Sequence, residues 1–367
     1  MRNHSYGALR AQQLSRHTRS GDPDIAKSNA HSDRGSVAVR LVDVARVARV
    51  APITVSRALR EPHKLAPRTR ARVEAAIAKT GYVPDLVASS LTRGATRLVG
   101  VVVPTLTASI YAATVAGVAD TLRANGFETL IGDSGYALDA EEKLIAAFVG
   151  RRADGIVLSN VAHTAGARKM LERARIPVVE TGNLTADPID MVVGFSNADA
   201  ARDMLAHLIA RGHRTIGFIG AARTDNPQAA DRRRAYDSAI RKHRLARAPT
   251  LAVECASDLT AGADALDSLV AHHPDVSAIF AASEVRAIGA LLQCQRRGIT
   301  VPGRIAIAGF NDALLGEHLV PRLTTVRVPR HEIGRRAAQM IVDALGGRRP
   351  ASAVVDLGYE IVVRESA

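Results

Sequence analysis

The sequence predicts an α/β protein of two doubly wound parallel sheets, led by a small all-α helix–turn–helix unit. Three observations carry that expectation. Three short helical patterns follow one another between Leu41 and about Gly81. From Arg97 onward, short β-rich runs ("RLVGVVVP", "ETLIGDS", "GIVLSN", "IPVVETG", "MVVGFSN", "TIGFIGA", "SAIFAAS", "IAIAGFND") alternate with helical stretches of 10–16 residues. Apolar strands between amphipathic helices mark parallel sheets covered on both faces, and there are too many for one sheet. Charge is also unevenly placed: residues 1–96 hold 17 Lys/Arg against 7 Asp/Glu, a net of +10 out of the chain's +13. A basic end on a nearly neutral body predicts a polyanion-binding module joined to something else.

From the N-terminus, residues 1–36 are polar and carry neither a helical nor a strand period, which predicts a disordered leader. "VAVRLVDVA" would equally serve as the beginning of the folded part. No apolar run in the leader could form a signal-peptide core. "LVGVVVP" at 98–104 is far too short to span a membrane. The expectation is a cytoplasmic protein with no membrane partner.

Residues 37–83 form the predicted headpiece. In its first helix Leu41, Val44, Ala45 and Ala48 fall at i, i+3, i+4 and i+7, one apolar stripe. In the second, Val55 and Leu59 face inward while Ile53, Thr54 and Arg57 face out. The third, "PRTRARVEAAIAKTG", opens on Pro67 and closes at Gly81, as helices often do.

The stretch "RVARVAPITVSRAL" (46–59) has the layout of a helix–turn–helix with altered joints. Its turn has no glycine, and Ala51-Pro52 stands where a hydroxyl cap is usual. Losing such a cap costs about 1 kcal/mol, and a proline at the first helical position offsets part of that. Ala66-Pro67 repeats the exchange. On the outward face Thr54 and Ser56 are short hydroxyls suited to phosphate oxygens, and Arg57 can bridge guanine O6 and N7. Ile53 offers only apolar contact, for instance to a thymine methyl, and together with Pro52 it implies a distinct base preference. The backbone N–H groups at both helix starts, with Arg49 and Lys64, are expected to carry more of the phosphate contact.

The body, residues 97–367, is expected to divide into two lobes. One spans about 97–195 and 327–351, the other about 196–326 and 352–367, with a ligand cleft between them at the carboxyl ends of the strands. With 47% hydrophobic but only 3% aromatic residues, its packing should be aliphatic. Cys255 and Cys294 are far apart and lack metal-ligand spacing, so no disulfide framework is expected. His163, His207 and His213 form no metal spacing either and are expected at the surface. There is no GxSxG, P-loop, GxGxxG after a strand or HExxH. No catalytic residue, metal or cofactor is therefore predicted.

Residues 79–104, "KTGYVPDLVASSLTRGATRLVGVVVP", together with "DVARVA", "TVSRAL" and "RARVEAAIAKTGYVPDLVASSL", closely resemble the lactose-repressor family of bacterial regulators. The resemblance runs from about residue 39 to the C-terminus. It implies a periplasmic-binding-protein-like body and homodimers on near-palindromic double-stranded operator DNA. It also implies a hinge helix and linker over 84–96, ordered by that DNA. Leu91 would wedge into the minor groove and unstack a base step, and Ala88, one turn earlier, is small enough for close approach. Asp85 departs from the usual asparagine; it can still cap the hinge helix, although its charge faces phosphates unfavourably.

In the body, "IPVVETGN", "VVGFSNADAARDMLAHLIARGHRTIGFIGA", "QCQRRG", "IAIAGFND" and "VVDLGYE" resemble the gluconate-operon repressor branch. The implied effector contacts are Thr105, Tyr111, Asn183, Phe195, Arg232, Ser283, Glu284 and Asn311. Among Arg232 to Arg234, spread about 100° apart on a helix, alignment on Tyr236 selects Arg232. Its guanidinium would hold a sugar-acid carboxylate in bidentate fashion. Ser283-Glu284 stands where the family usually has Asn-Asp. Amides at Asn183 and Asn311 lower the negative charge of the cleft, which favours an anionic effector over a neutral sugar. Two other readings weigh less: a solute-binding protein of a sugar transport system, which requires export, and an enzyme, whose motifs are missing.

Overall fold

The apolar stripe from Leu41 to Ala48 buries as one face of a helix. The computed structural model describes residues 39–83, 95–221, 227–313 and 315–367. That helix is α1 (Leu41–Ala48), followed by α2 (Pro52–Arg60) and α3 (Pro67–Thr80). Val44, Ala45, Ala48, Val55, Val73 and Ala76 close a small core. The turn after α1 uses Arg49 at φ 54°, ψ 49°, a left-handed conformation in which glycine is the usual residue. Two features hold it there. Val50 N–H bonds Ala45 O at 3.1 Å, a Schellman closure. Arg72 of α3 donates to Ala48 O at 2.6 Å and Arg49 O at 3.0 Å, satisfying carbonyls that a helix end leaves open. Helices α2 and α3 both start on an uncapped alanine followed by proline, and α3 ends on Gly81 at φ 65°.

Leu59 does not face inward as its spacing predicted. It is 36% exposed, and Ala58 packs against the core instead. Positions three and four residues beyond Val55 flank its direction on the helix, and this narrow core admits the smaller one. The predicted leader 1–36 lies outside the described residues, as do hinge positions 84–94 with Asp85, Ala88 and Leu91.

The chain divides into a first unit, 1–85, and a second, 86–367. The second is built from two six-stranded sheets. In the first lobe β1 (Leu98–Val103), α4 (Ser109–Ala124), β2 (Glu128–Asp133), α5 (Leu138–Gly150), β3 (Gly155–Leu158), α6 (Ala165–Ala174), β4 (Val178–Thr181) and β5 (Met191–Gly194) follow in order. The second lobe takes α7 (Asn197–Ala210), β6 (Ile216–Gly220), α8 (Pro227–Lys242), β7 (Ala252–Glu254), α9 (Leu259–His272) and β8 (Ala278–Ala281). It continues with α10 (Glu284–Arg296), β9 (Ala306–Asn311) and β10 (Thr324–Arg327). The chain then returns to the first lobe with α11 (Arg330–Leu345) and β11 (Val354–Asp356), and ends in the second with β12 (Glu360–Val362).

The strand orders are β2-β1-β3-β4-β5-β11 and β7-β6-β8-β9-β10-β12. All neighbours run parallel except β12 against β10. The order reverses beside β1 and beside β6, the switch points at whose carboxyl ends ligands sit. The predicted lobe boundary at 352 is corrected here: Val354 pairs with Val192 of β5, so the last crossing comes after Asp356. The β-branched pair Val354-Val355 extends the open edge of the first sheet before the chain leaves it.

Two glycines fix the helix that opens on the cleft. A Cβ on Gly334 of α11 would lie 2.0 Å from Thr114 O of α4, and one on Gly117 would lie 2.1 Å from His331 O. The two helices therefore touch backbone to backbone. Most of the core is aliphatic, but the few rings are concentrated. Phe195, Phe310, Phe280, Phe218 and Tyr236 form a chain with successive centroid separations of 6.2, 6.4, 5.8 and 5.0 Å.

The histidine expectation fails at His163. Its side chain is 2% exposed, with Nδ1 2.6 Å from Glu141 Oε1 and Nε2 3.2 Å from Glu180 Oε1. Carboxylates distant in sequence draw this loop residue inward. His207 and His213 are half-buried. Among the described residues, no helix is long and apolar enough to cross a membrane and no acidic, His or Cys cluster is placed to hold a metal.

Candidate functional site

Two surfaces follow from these folds, one on each unit. On the headpiece, Val55 is fully buried, so the opposite face of α2 points outward. Ile53 is 66% exposed, Pro52 and Arg57 are exposed, and Thr54 and Ser56 are half-exposed. Arg49 and Arg57 are in no ion pair among the described residues. Lys64 pairs with Glu61 at 2.7 Å, and its bond holds the Glu61 carboxyl below the usual range. An exposed pair of this kind contributes little to stability, so a phosphate can draw the lysine away.

The expected role of backbone N–H groups narrows. Thr54 and Val55 donate to Ala51 O, and Thr69 and Arg70 to Ala66 O, while proline has no N–H. At the two helix starts the backbone donors without a recorded acceptor are those of Ala51, Ile53, Ala66 and Arg68.

In the body an open cleft of about 1520 Å³ lies between the lobes. Thr105, Ser283, Glu284 and Asn311 line it. Tyr111, Asn183, Phe195 and Arg232 are buried and do not line it. Tyr136, Arg330 and Tyr359 line the cleft without having been anticipated. Thr105 follows β1, its Oγ1 2.9 Å from Thr107 Oγ1.

Two of the implied contacts shape the wall. Glu284 accepts N–H bonds from Ala313 (2.8 Å) and Gly316 (3.0 Å), closing the loop after β9. Burial pushes its carboxyl up, against the pull of those two N–H groups. Ser283 Oγ accepts from Arg286 at 2.9 Å, and the same guanidinium holds the carbonyls of Ala256 and Cys255. Phe195, fully buried, supplies a ring beneath a guanidinium rather than open surface.

Arg232 and Arg330 dominate the electrostatics. Arg232 donates from Nε and Nη2 to Asn197 Oδ1 (3.0 and 2.7 Å) and from Nη1 to Ala282 O (2.7 Å). Its guanidinium carbon lies 3.9 Å from the centre of the Phe310 ring, within cation–π range. Arg330, the first residue of α11, donates from Nη2 to Asn311 Oδ1 at 2.7 Å and lies 5.5 Å from the Phe195 ring centre. Its Nε is buried with no partner. Burial presses both guanidinium groups toward the neutral form, and the Arg330 charge adds to this at Arg232, yet arginine stays charged at neutral pH.

Neither arginine is in an ion pair among the described residues. Nearby carboxylates are engaged elsewhere: Asp312 with Arg327 and Arg364, Asp231 with Asn183 and Arg234, Glu332 with Arg335. The charge argument from sequence is thus corrected in its basis. Asp231 and Asp312 still place carboxylates near the amides, and the positive interior comes from the two buried arginines.

Bonds between the lobes close the deep end. Asn183 Nδ2 donates to Asp231 (2.6 Å), Asn197 Nδ2 to Gly182 O (2.9 Å) and Arg330 to Asn311. Helices α4, α10 and α11 all begin at the cleft, adding the partial positive charge of their N-termini. The Tyr111 phenol, held up by burial and by Tyr136, sits in the same field. Donors, two cations and ring faces give the cleft a chemistry that suits a polar anion. Sequence reasoning missed Arg330 and Asn197. Both open a helix that begins where the chain crosses between sheets.

Residues 40–85 match the family described as "Bacterial regulatory proteins, lacI family", and residues 205–367 match "Periplasmic binding protein-like domain". The chain is similar to the HTH-type transcriptional regulator GntR of Escherichia coli (strain K12), 32% identical over 88% of this chain and 96% of that protein. Among solved structures it is similar to the transcription regulator GntR from Chromobacterium violaceum, with TM-score 0.70 and 36% identity. That match covers 73% of this chain and 98% of the other. The lac repressor dimer bound to operator and an anti-inducer shares the fold, with TM-score 0.78 and 21% identity over 89% of this chain and 98% of that one.

Proposed function

The chain belongs to the lacI family of bacterial regulatory proteins and is a DNA-binding transcriptional regulator, and from that premise we propose that it is a repressor released or tightened on its operator by a gluconate-type sugar acid. The observation that carries the sugar-acid reading is Arg232. Its guanidinium is buried, oriented by Asn197 and Ala282, stacked on Phe310, and has no carboxylate partner among the described residues. A ligand carboxylate completes that arrangement, and the resemblance of the body to gluconate-operon repressors agrees with it. The transport reading has nothing to stand on once residues 40–85 are assigned to a DNA-binding family.

In this mechanism a homodimer places two copies of α2 in successive major grooves of a near-palindromic site. Arg57 and Ile53 read base edges, while Thr54, Ser56, Arg49 and Lys64 hold phosphates. The effector binds between the lobes and shifts their angle, which alters the fit of both reading heads. Such coupling is typically about 1–3 kcal/mol. The test is fluorescence anisotropy of the full chain on the region upstream of neighbouring sugar-acid genes, titrated with gluconate, beside calorimetry of gluconate on Arg232→Ala. Expected are a complex whose stability changes with gluconate and a variant that no longer binds it. Unchanged binding to Arg232→Ala removes the carboxylate assignment.

A further inference from the structure

The two guanidinium groups without an ion pair among the described residues belong to opposite lobes. Arg232 stands on α8 of the second and Arg330 on α11 of the first. A buried charge is normally paired, and one carboxylate supplies one counter-charge. We infer that the effector carries two anionic groups, one on Arg232 and a second on Arg330, so that Arg330 selects for the second group. This rests on the sugar-acid reading above.

Four observations support it. Arg330 is 7% exposed, borders the open cleft, and keeps its Nε buried and unbonded. Its single recorded acceptor, Asn311 Oδ1, is a neutral amide. Among the described residues Arg232 likewise meets only amide and carbonyl oxygens. Each cation rests on its own aromatic ring, Phe310 for Arg232 and Phe195 for Arg330, so the protein presents two separate anion seats rather than one shared fork. Tyr111 and Tyr136 lie near enough to both cations to act on their charge and supply hydroxyls for a polyol between the seats. The ligand class is therefore a polyol chain with an anion at each end, either two carboxylates (an aldarate) or a carboxylate and a phosphate (a phosphorylated aldonate).

The experiment is calorimetry on the full-length protein with gluconate, glucarate and 6-phosphogluconate, repeated on Arg330→Gln and Arg330→Lys. In the wild type at least one doubly anionic ligand should bind about tenfold more tightly than gluconate, the scale of one charge-assisted hydrogen bond. The stronger of the two identifies the second group as carboxylate or phosphate. Arg330→Gln should abolish that preference by weakening the doubly anionic ligands far more than it weakens gluconate, while Arg330→Lys keeps part of the preference. Gluconate binding as tightly as both others overturns the inference and leaves the sugar-acid reading intact; that comparison needs no variant to fold. Equal weakening of all three by Arg330→Gln overturns it too, because Arg330 then only holds the wall. If a neutral sugar binds and none of the three does, both readings fall.

Discussion

Replacing His163 by glutamine probes a buried charge held between two carboxylates. Burial alone would push the imidazole down, but hydrogen bonds and charge from Glu141 and Glu180 outweigh it and raise the pKa from 6.5 to about 9. A histidine whose pKa is higher in the folded state stabilises the fold while protonated. The contribution is complete below about pH 6.5 and is lost as pH climbs through about 9. The rise from 6.5 to about 9 corresponds to about 3 kcal/mol. Because the side chain is only 2% exposed, solvent screening takes little from that figure. For a body of this size each kcal/mol moves Tm by roughly 2–4 °C, so about 6–12 °C is at stake. Calorimetric melting of the full chain at several pH values between about 6 and 9.5 reads it directly. The wild-type Tm should fall across this window by that much more than the Tm of His163→Gln, which starts lower because two buried carboxylates lose their cation. Parallel curves for the two proteins would refute the charged bridge.

Two further outcomes follow from the geometry. Arg57→Ala should weaken the best operator by about 1–3 kcal/mol and flatten base preference at one position, read by anisotropy on single-base operator variants. An equal loss on every variant would make Arg57 a phosphate ligand instead. Gly334→Ala places a methyl 2.0 Å from the Thr114 carbonyl, which forces α4 and α11 apart and should cost about 1–3 kcal/mol or more; an unchanged Tm for the body would show that the helices part freely.

Periodicity made the local elements legible. The stripe of α1, the Pro67-to-Gly81 span of α3 and the alternation of strands and helices depend on near neighbours in sequence, and all of them read correctly. What failed depends on partners distant along the chain. Arg49 in a left-handed turn is held by Arg72, more than twenty residues away, so the missing glycine could be noticed but its replacement could not. Leu59 and Ala58 have similar helical positions, and only the width of the core decides between them. His163 lies in a polar loop, and nothing nearby announces Glu141 or Glu180. Strand ends located the cleft, but not the bonds its polar residues make within the wall. Glu284 and Ser283 stand at the right place and are spent on the loop after β9 and on Arg286.

The deep end of the cleft also constrains how the proposed effector acts. Asn183–Asp231, Asn197–Gly182 and Arg330–Asn311 already tie the lobes together, and Arg232 lies behind that contact. A ligand reaching both arginines must therefore exchange bonds between the lobes for bonds through itself. An anionic group on Arg330 competes with Asn311, which belongs to the other lobe, whereas a carboxylate on Arg232 leaves its Asn197 anchor within one lobe. The two ends of the ligand thus have unequal consequences: both add affinity, but only the Arg330 end also alters a contact between lobes. Only a difference in affinity between the two lobe arrangements shifts their populations. In this scheme the Arg330 end transmits the signal, and a ligand lacking it would bind without fully switching the operator.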